Sequence, residues 1–270
     1  MISAADYAFF RSFLKVRSGF ALPDDKHYLL ESRLAPVARS VGLRTLSQLV
    51  ERLKQPADHE TKQAVIEAMT TNESLFFRDK VPFDAFLGVA LPKLHATRPP
   101  GRDIRVWCAA ASTGQEPYSL AMLAADNAAR IPGRKLQIVA TDISSEALGR
   151  AREGIYTQFE VQRGLPAQCL VKHFTKVGDN WQISDQLRRN ITFKEFNLLD
   201  SPVGLGTFDV VFCRNVLIYF DLATKVSVFN RLDSVLANDG YVILGGAESV
   251  LGITDRFKPS PDHRALYVRT

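Results

Sequence analysis

No apolar run in these 270 residues approaches the roughly 18 needed to cross a bilayer, and the first residues lack the basic-then-apolar pattern of a secretion signal. The expectation is a cytoplasmic chain without membrane insertion. Cysteine is scarce: Cys108, Cys169 and Cys213 are odd in number and far apart, two of them inside apolar runs, so they read as reduced thiols rather than a disulfide framework. The five histidines are scattered, with no H-E-x-x-H and no Cys/His pair at ligand spacing, so no metal site is expected. Charge of one sign is also lacking. A net charge of +5 is too small for a nucleic-acid binder and leaves only a preference for an acidic partner.

What is present divides by period. The first seventy residues carry helical spacing and no strand signal. Phe9, Phe10, Phe13 and Leu14 form one stripe, and Leu30, Leu34 and Val37 another. Thr45 and Gln48 have capping-box spacing before Leu46, Leu49, Val50 and Leu53; Pro56 then closes that helix, and Ala64, Val65, Ala68 and Met69 mark a fourth. The predicted organisation is an all-helical domain over 1–75, a linker over 76–90 and an α/β domain over 91–270. Arg33, Arg39, Arg44, Arg52 and Lys54 surround a single acid, Glu51. Such a run is either a solvated face or a docking surface for an acidic helical partner. So few aromatics lie among them that stacking on single-stranded nucleic acid is not expected.

From residue 104 onward, apolar β-branched runs alternate with helical patterns. Strands are predicted at 104–108, 136–140, 191–196, 208–213 and 241–244, with one more at 265–268, and helices at 117–130, 145–152 and 223–237. This alternation predicts a parallel sheet wound on both faces. Residues 155–190 interrupt it, and the turn signal Gly178-Asp179-Asn180 between two short apolar runs predicts a small antiparallel insertion.

In wound sheets ligands bind at the carboxyl ends of the strands. There the sequence places a small-residue turn with Glu116, then Asp142, Asn197, and Arg214-Asn215. The turn, W-C-A-A-A-S-T-G-Q-E-P-Y-S over 107–119, has neither G-x-G-x-x-G nor G-x-x-x-x-G-K-[ST], which disfavours dinucleotides and nucleoside triphosphates. A phosphate-free nucleoside remains, of which S-adenosylmethionine is the common one. An acid after the second strand is placed to accept from both ribose hydroxyls, although Asp142 fits equally as the N-cap of the next helix. The turn itself fits a plain strand-to-helix connection as well as a ligand site.

Five blocks in order carry a resemblance: T-T-N-E-S-L-F-F-R (70–78), the 107–119 turn, A-T-D-I (140–143), F-N-L-L (196–199) and C-R-N-V-L-I-Y-F (213–220). Together the chain resembles the CheR-type chemoreceptor methyltransferases of bacteria, which esterify receptor glutamates with S-adenosylmethionine. The resemblance implies a class I, Rossmann-like methyltransferase sheet with a small antiparallel β insertion and an all-helical N-terminal domain. It implies S-adenosylmethionine as cofactor, S-adenosylhomocysteine as product, no metal, and the cytoplasmic methylation helices of chemoreceptors as partner. By motif position, Asn72, Ser74, Arg78, Glu116, Asp142, Asn197, Leu198, Arg214 and Asn215 would hold the cofactor. Arg78 and Tyr219 would lie nearest the transferred methyl group, and the basic residues 33, 39, 44, 52 and 54 would dock the receptor.

Ser74 stands where the family commonly has threonine, Gln115 where glutamate is common, and Gly246-Ala247 where a histidine often precedes the final acidic motif. The turn at 178–180 is shorter than in members that grip a receptor's C-terminal peptide, so independence of such a tether is expected. Two rivals share the sheet pattern: a methyltransferase for a small molecule or RNA, and a non-catalytic cofactor-sensing module.

Overall fold

The computed structural model describes residues 2–270, which form two compact units. One runs to Thr71 and also takes up Tyr219–Thr224; the other is Asn72–Ile218 with Lys225–Thr270.

The first unit is built from four helices, α1 (Ala4–Ser18), α2 (His27–Ser40), α3 (Leu46–Leu53) and α4 (His59–Met69). The Ser3 side chain caps α1 by accepting from the Asp6 N–H, and Gly19 ends it at φ +77°, a conformation that carries no Cβ penalty only in glycine. The capping box of Thr45 and Gln48 is formed at the start of α3, and Asp58 caps α4. Phe10, Leu14, Leu30, Leu34, Leu49, Val65 and Met69 are buried together. Phe9 and Phe13 are only partly buried and stack on each other, while Tyr7 takes a place in the core that the apolar stripe did not predict. The segment Tyr219–Thr224 straps this unit. Ala21 N donates to Tyr219 O (2.9 Å), Phe20 bridges Phe220, and Lys15 pairs with Asp221 (2.5 Å).

The second unit opens with α5 (Val81–Ala85), a single π turn at Phe86–Ala90 and α6 (Leu91–Thr97). Residues 76–90, read in the sequence as a linker, therefore supply Phe76, Phe83 and Phe86 to the main core. There follow β1 (Ile104–Ala109), α7 (Gln115–Asp126), β2 (Leu136–Asp142), α8 (Ser145–Glu153), β3 (Ile155–Thr157), α9 (Gln158–Gln162), α10 (Ala167–His173), β4 (Phe174–Val177) and β5 (Asn180–Ile183). The chain continues through α11 (Asp185–Arg188), β6 (Ile191–Glu195), β7 (Phe208–Cys213), α12 (Leu222–Val235), β8 (Leu236–Leu244), β9 (Phe257–Pro259) and β10 (Leu266–Arg269).

Seven strands form the main sheet in the order β6-β2-β1-β7-β8-β10-β9. The five predicted strands β6, β2, β1, β7 and β8 pair in parallel. The central β7 is buried along its whole length, which is why it reads as an unbroken apolar run rather than an alternating one. The edge departs from the simple winding: β10 is antiparallel to β8 and carries an unforeseen partner, β9. In the insertion the predicted hairpin of β4 and β5 turns at Gly178 (φ +59°), and β3 completes a three-stranded sheet ordered β3-β5-β4.

The amino end of the sheet is locked by Asp209, which is fully buried on β7. It accepts from Arg98 Nε (2.7 Å), Arg102 Nη2 (3.0 Å) and Arg105 N (2.8 Å). A buried carboxylate is tolerable only with partners of this kind. The carboxyl end is left to a different set of groups.

Candidate cofactor site

Where β1 ends, the backbone alternates through the left-handed region at Ala110 (φ +70°), Ser112 (φ +51°) and Gly114 (φ +95°). Non-glycine residues pay for such angles and hold them only where neighbours over-determine the conformation. Here the neighbours are all present. Ala111 N donates to Thr141 O (2.8 Å), and Ser112 N to Asp142 Oδ2 (2.7 Å). Ser112 Oγ donates to Asn72 O (2.9 Å), and the buried Tyr156 hydroxyl to Thr113 O (2.8 Å). A Cβ on Gly114 would sit 2.9 Å from the Ala151 Cβ and 3.1 Å from the Tyr156 hydroxyl, so no larger residue fits. Gln115 is used locally, accepting from Thr113 Oγ1 (2.8 Å).

Asp142 ends β2 and is buried. Its Oδ1 accepts from Ser144 N (3.0 Å) while Oδ2 holds Ser112. The N-cap of α8 is Ser144, whose Oγ accepts from Ala147 N. That decides against the N-cap reading of Asp142. The carboxylate instead ties the loops after β1 and β2 together. Next to it the Phe196 N–H donates to Asp142 O (2.9 Å), bringing Asn197 and the buried Leu198 to the same strand end. Asn197 Oδ1 accepts from Leu199 N (3.0 Å).

Arg214, just beyond β7, is the hub of the charged groups, with its side chain only 2% exposed. Nη1 donates to Glu116 Oε2 (2.9 Å), and Nη2 to Asp79 Oδ2 (2.9 Å) and Arg78 O (2.8 Å). The guanidinium lies over the Phe83 ring, 5.5 Å from its centroid. Its Nε–H is buried with no acceptor among the described residues. Burial pushes the Glu116 carboxyl above its ordinary range, with the Glu248 carboxylate adding to the push and Arg214 opposing both.

The segment 72–79 thus reaches the strand ends through its backbone, at Asn72 O, Arg78 O and Phe77 N, which donates to Ser119 Oγ (2.9 Å). The Ser74 hydroxyl is half-buried and makes no hydrogen bond among the described residues. Arg78 Nη1 makes a long contact with Glu73 O (3.4 Å).

Sequence reasoning missed Glu248. Its Oε2 accepts from Asn215 N (2.8 Å) and Gly245 N (2.8 Å), and its Oε1 from Val216 N (3.0 Å) and Leu217 N (2.8 Å). One carboxylate therefore clamps the loop after β7, including Asn215 at φ +58°, to the turn after β8. Its signals were its place beside Gly245-Gly246 and in the family's final acidic motif.

Of the proposed site residues, hydrogen bonds of the second unit join Asn72 to Asp142 through Ser112, hold Arg78 and Glu116 on Arg214, and fix Asn215 on Glu248. Tyr219 belongs to the first unit, its ring 6.0 Å from that of Phe20. The five basic residues are not one free face. Arg33 donates to Met69 O, Thr70 O and Thr71 Oγ1 at the end of α4. Arg52 pairs with Asp58, and Lys54 with Glu51 (2.6 Å). Arg39 and Arg44 remain exposed, with no side-chain partner among the described residues.

Both parts of the chain match a known family. Residues 72–266 match the domain described as "CheR methyltransferase, SAM binding domain", and residues 5–70 match "CheR methyltransferase, all-alpha domain". The chain belongs to the CheR methyltransferase family. It is 40% identical over 260 residues to the chemotaxis protein methyltransferase of Vibrio parahaemolyticus, covering 95% of this chain and 94% of that one. It is 38% identical to chemotaxis protein methyltransferase 1 of Pseudomonas aeruginosa, covering 94% of this chain and 93% of the relative. With the Escherichia coli chemotaxis protein methyltransferase the identity is 36%, over 89% and 83% of the two chains. The CheR match of the SAM-binding domain opens at Asn72, the residue whose carbonyl receives Ser112. Among the described residues of this CheR chain, no cluster of His, Cys, Asp and Glu could hold a metal ion, and no helix is long and apolar enough to cross a membrane.

Proposed function

We propose that this chain transfers the methyl group of S-adenosylmethionine to glutamate side chains of chemoreceptors in the cytoplasm, forming glutamyl methyl esters and S-adenosylhomocysteine. The observation that carries it is the network at the strand ends of the CheR SAM-binding domain, centred on Asp142 and Arg214. Its inventory suits the cofactor. Asp142 offers acceptors for ribose hydroxyls, and the buried Arg214 Nε–H lacks the acceptor that an amino-acid carboxylate would supply. The small-residue turn lets a nucleoside approach the backbone.

Bound cofactor supplies a sulfonium-activated methyl group; the methyl–sulfur bond breaks as a bond to the glutamate oxygen forms. A glutamate with a reference pKa of about 4.3 is already ionised at neutral pH, so no general base is required of the protein. The protein's tasks are alignment and removal of water from a well-solvated nucleophile. In this reading Arg78 orients the incoming carboxylate without quenching it, and the Tyr219 ring confines the methyl group. Arg39 and Arg44 are the basic residues free to meet an acidic receptor helix, and the two-residue turn between β4 and β5 leaves tethering-peptide recognition outside the proposal.

The deciding experiment is transfer of radiolabel from S-adenosylmethionine to receptor-containing membranes, with release of the label by mild base as expected for an ester. Label that stays after base treatment, or none transferred to any receptor, defeats the reading. Asp142→Ala is expected to raise the cofactor Kd. Arg78→Ala and Tyr219→Phe are expected to lower turnover with cofactor binding intact, and wild-type turnover in both removes their assigned roles.

A further inference from the structure

The second unit also carries a cleft of about 500 Å³ that the proposed cofactor set leaves unused. Val81, Pro82, Leu244 and Ala265 give it apolar walls, and Gly245 and Gly246 leave bare backbone on one side. It shares Asp79 and Glu248 with the strand-end network and so adjoins it.

The polar groups lining the cleft fall into two kinds. The acceptors are already engaged: Asp79 holds Arg214, and Glu248 holds four backbone N–H groups. The donors are not. Arg264 is exposed, and neither its guanidinium nor the Tyr267 hydroxyl has a hydrogen-bond or ionic partner among the described residues. The turn that presents Arg264 is held on both sides, by the Lys93–Asp262 pair (2.6 Å) and by Ala265 N donating to His263 Nδ1 (3.1 Å). Two free donors on a fixed rim, beside carboxylates that already hold donors of their own, suit an anion. A planar guanidinium matches a carboxylate bidentately, and the apolar walls suit the methylene stem of the side chain that bears it.

We propose that this cleft takes an acidic side chain of the receptor segment, other than the one being methylated, held by Arg264 and Tyr267. The inference rests on the glutamate methyltransferase reading, because that reading makes the substrate acidic.

The test measures steady-state methylation of receptor-containing membranes, with cofactor affinity measured separately by calorimetry. Arg264→Glu is expected to raise the receptor KM about five-fold, the scale of an exposed ion pair exchanged for repulsion, leaving kcat and the S-adenosylmethionine Kd within two-fold. Gly246→Leu offers a second route, since a Cβ there meets nothing within 4 Å and the added side chain fills the cleft; KM is expected to rise in the same sense. The proposal is overturned if both variants keep the wild-type KM, or if the cofactor Kd rises as much as KM, which would make the cleft part of the cofactor site. Wild-type protein that methylates no receptor overturns the function itself, and this inference with it.

Discussion

Glu248 offers the sharpest test of how the strand-end loops are held. Its carboxylate accepts four N–H groups at 2.8–3.0 Å. Hydrogen bonds to a charged acceptor are worth about 1.5–3 kcal/mol each when buried, but Glu248 is half-buried and water replaces part of what is lost. For Glu248→Ala the expected loss is about 3 kcal/mol, well below the sum of four full bonds. Glu248→Gln keeps one carbonyl oxygen for two of the donors and turns an amide NH2 toward the other two, so about half that loss is expected. At about 2–4 °C per kcal/mol for a chain of this size class, the alanine variant should melt roughly 6–12 °C lower. The second readout is specific to the site. Asn215 sits at φ +58° with its N–H on Glu248, and a freed loop would relax away from the geometry that presents Arg214 and Asn215. Calorimetry should show the S-adenosylmethionine Kd rising about ten-fold, equivalent to about 1.4 kcal/mol. Melting within 1 °C of wild type together with an unchanged Kd in both variants would falsify the clamp.

Two further outcomes follow from the charges. Arg214→Met strands Glu116 beside Glu248 in a buried setting and should destabilise the fold by about 3–5 kcal/mol in urea unfolding; adding Glu116→Gln should recover part of that, and a purely additive pair would show that the two do not interact. Asp58 caps α4 and pairs with Arg52, which lowers its carboxyl from 3.8 to about 2. A depressed carboxylate stabilises the fold above the unfolded value, an effect lost as pH falls toward the folded one. The melting temperature of wild type should therefore exceed that of Asp58→Asn above pH 4, with the gap closing between pH 4 and pH 2; a gap independent of pH removes the ionic contribution.

The strands β1, β7 and the later parts of β2 and β8 were legible because burial on both faces forces apolar β-branched runs, whereas the edge strand β6 is mostly exposed and shows only Ile191 and Phe193 turned inward. β3 and β9 were not, at three residues each; too short for a period, they form only because a neighbouring strand edge is available. Residues 76–90 read as a linker because Pro82 and the prolines that follow punctuate the passage, yet Pro82 sits at a helix start, where the missing N–H is harmless, and a π turn at Phe86–Ala90 carries the helical run on past Pro92. At the site, residue types at strand ends were readable, since the sheet alone brings them together. Their bonds were not: Arg33 spends its donors on carbonyls 36 and 37 positions away, and Glu248 on amides up to 33 positions back. Local spacing carries no trace of such partners, so a basic cluster looked freer than it is and an acid near the C-terminus looked idle.

The strap at Tyr219–Thr224 bears on how the protein is made. The helical unit is discontinuous in the chain, so a ribosome that has released Thr71 has not yet supplied the segment that pairs with Phe20, Ala21 and Lys15. At bacterial elongation rates that piece arrives roughly 7–30 s later. The first four helices must wait without that segment while the sheet is being synthesised, and a transplanted N-terminal region would arrive without it. Recombination between relatives should respect this: exchanging residues up to 71 alone leaves a helical unit from one parent buckled by a strap from the other, whereas exchanging 219–224 with it keeps the unit whole.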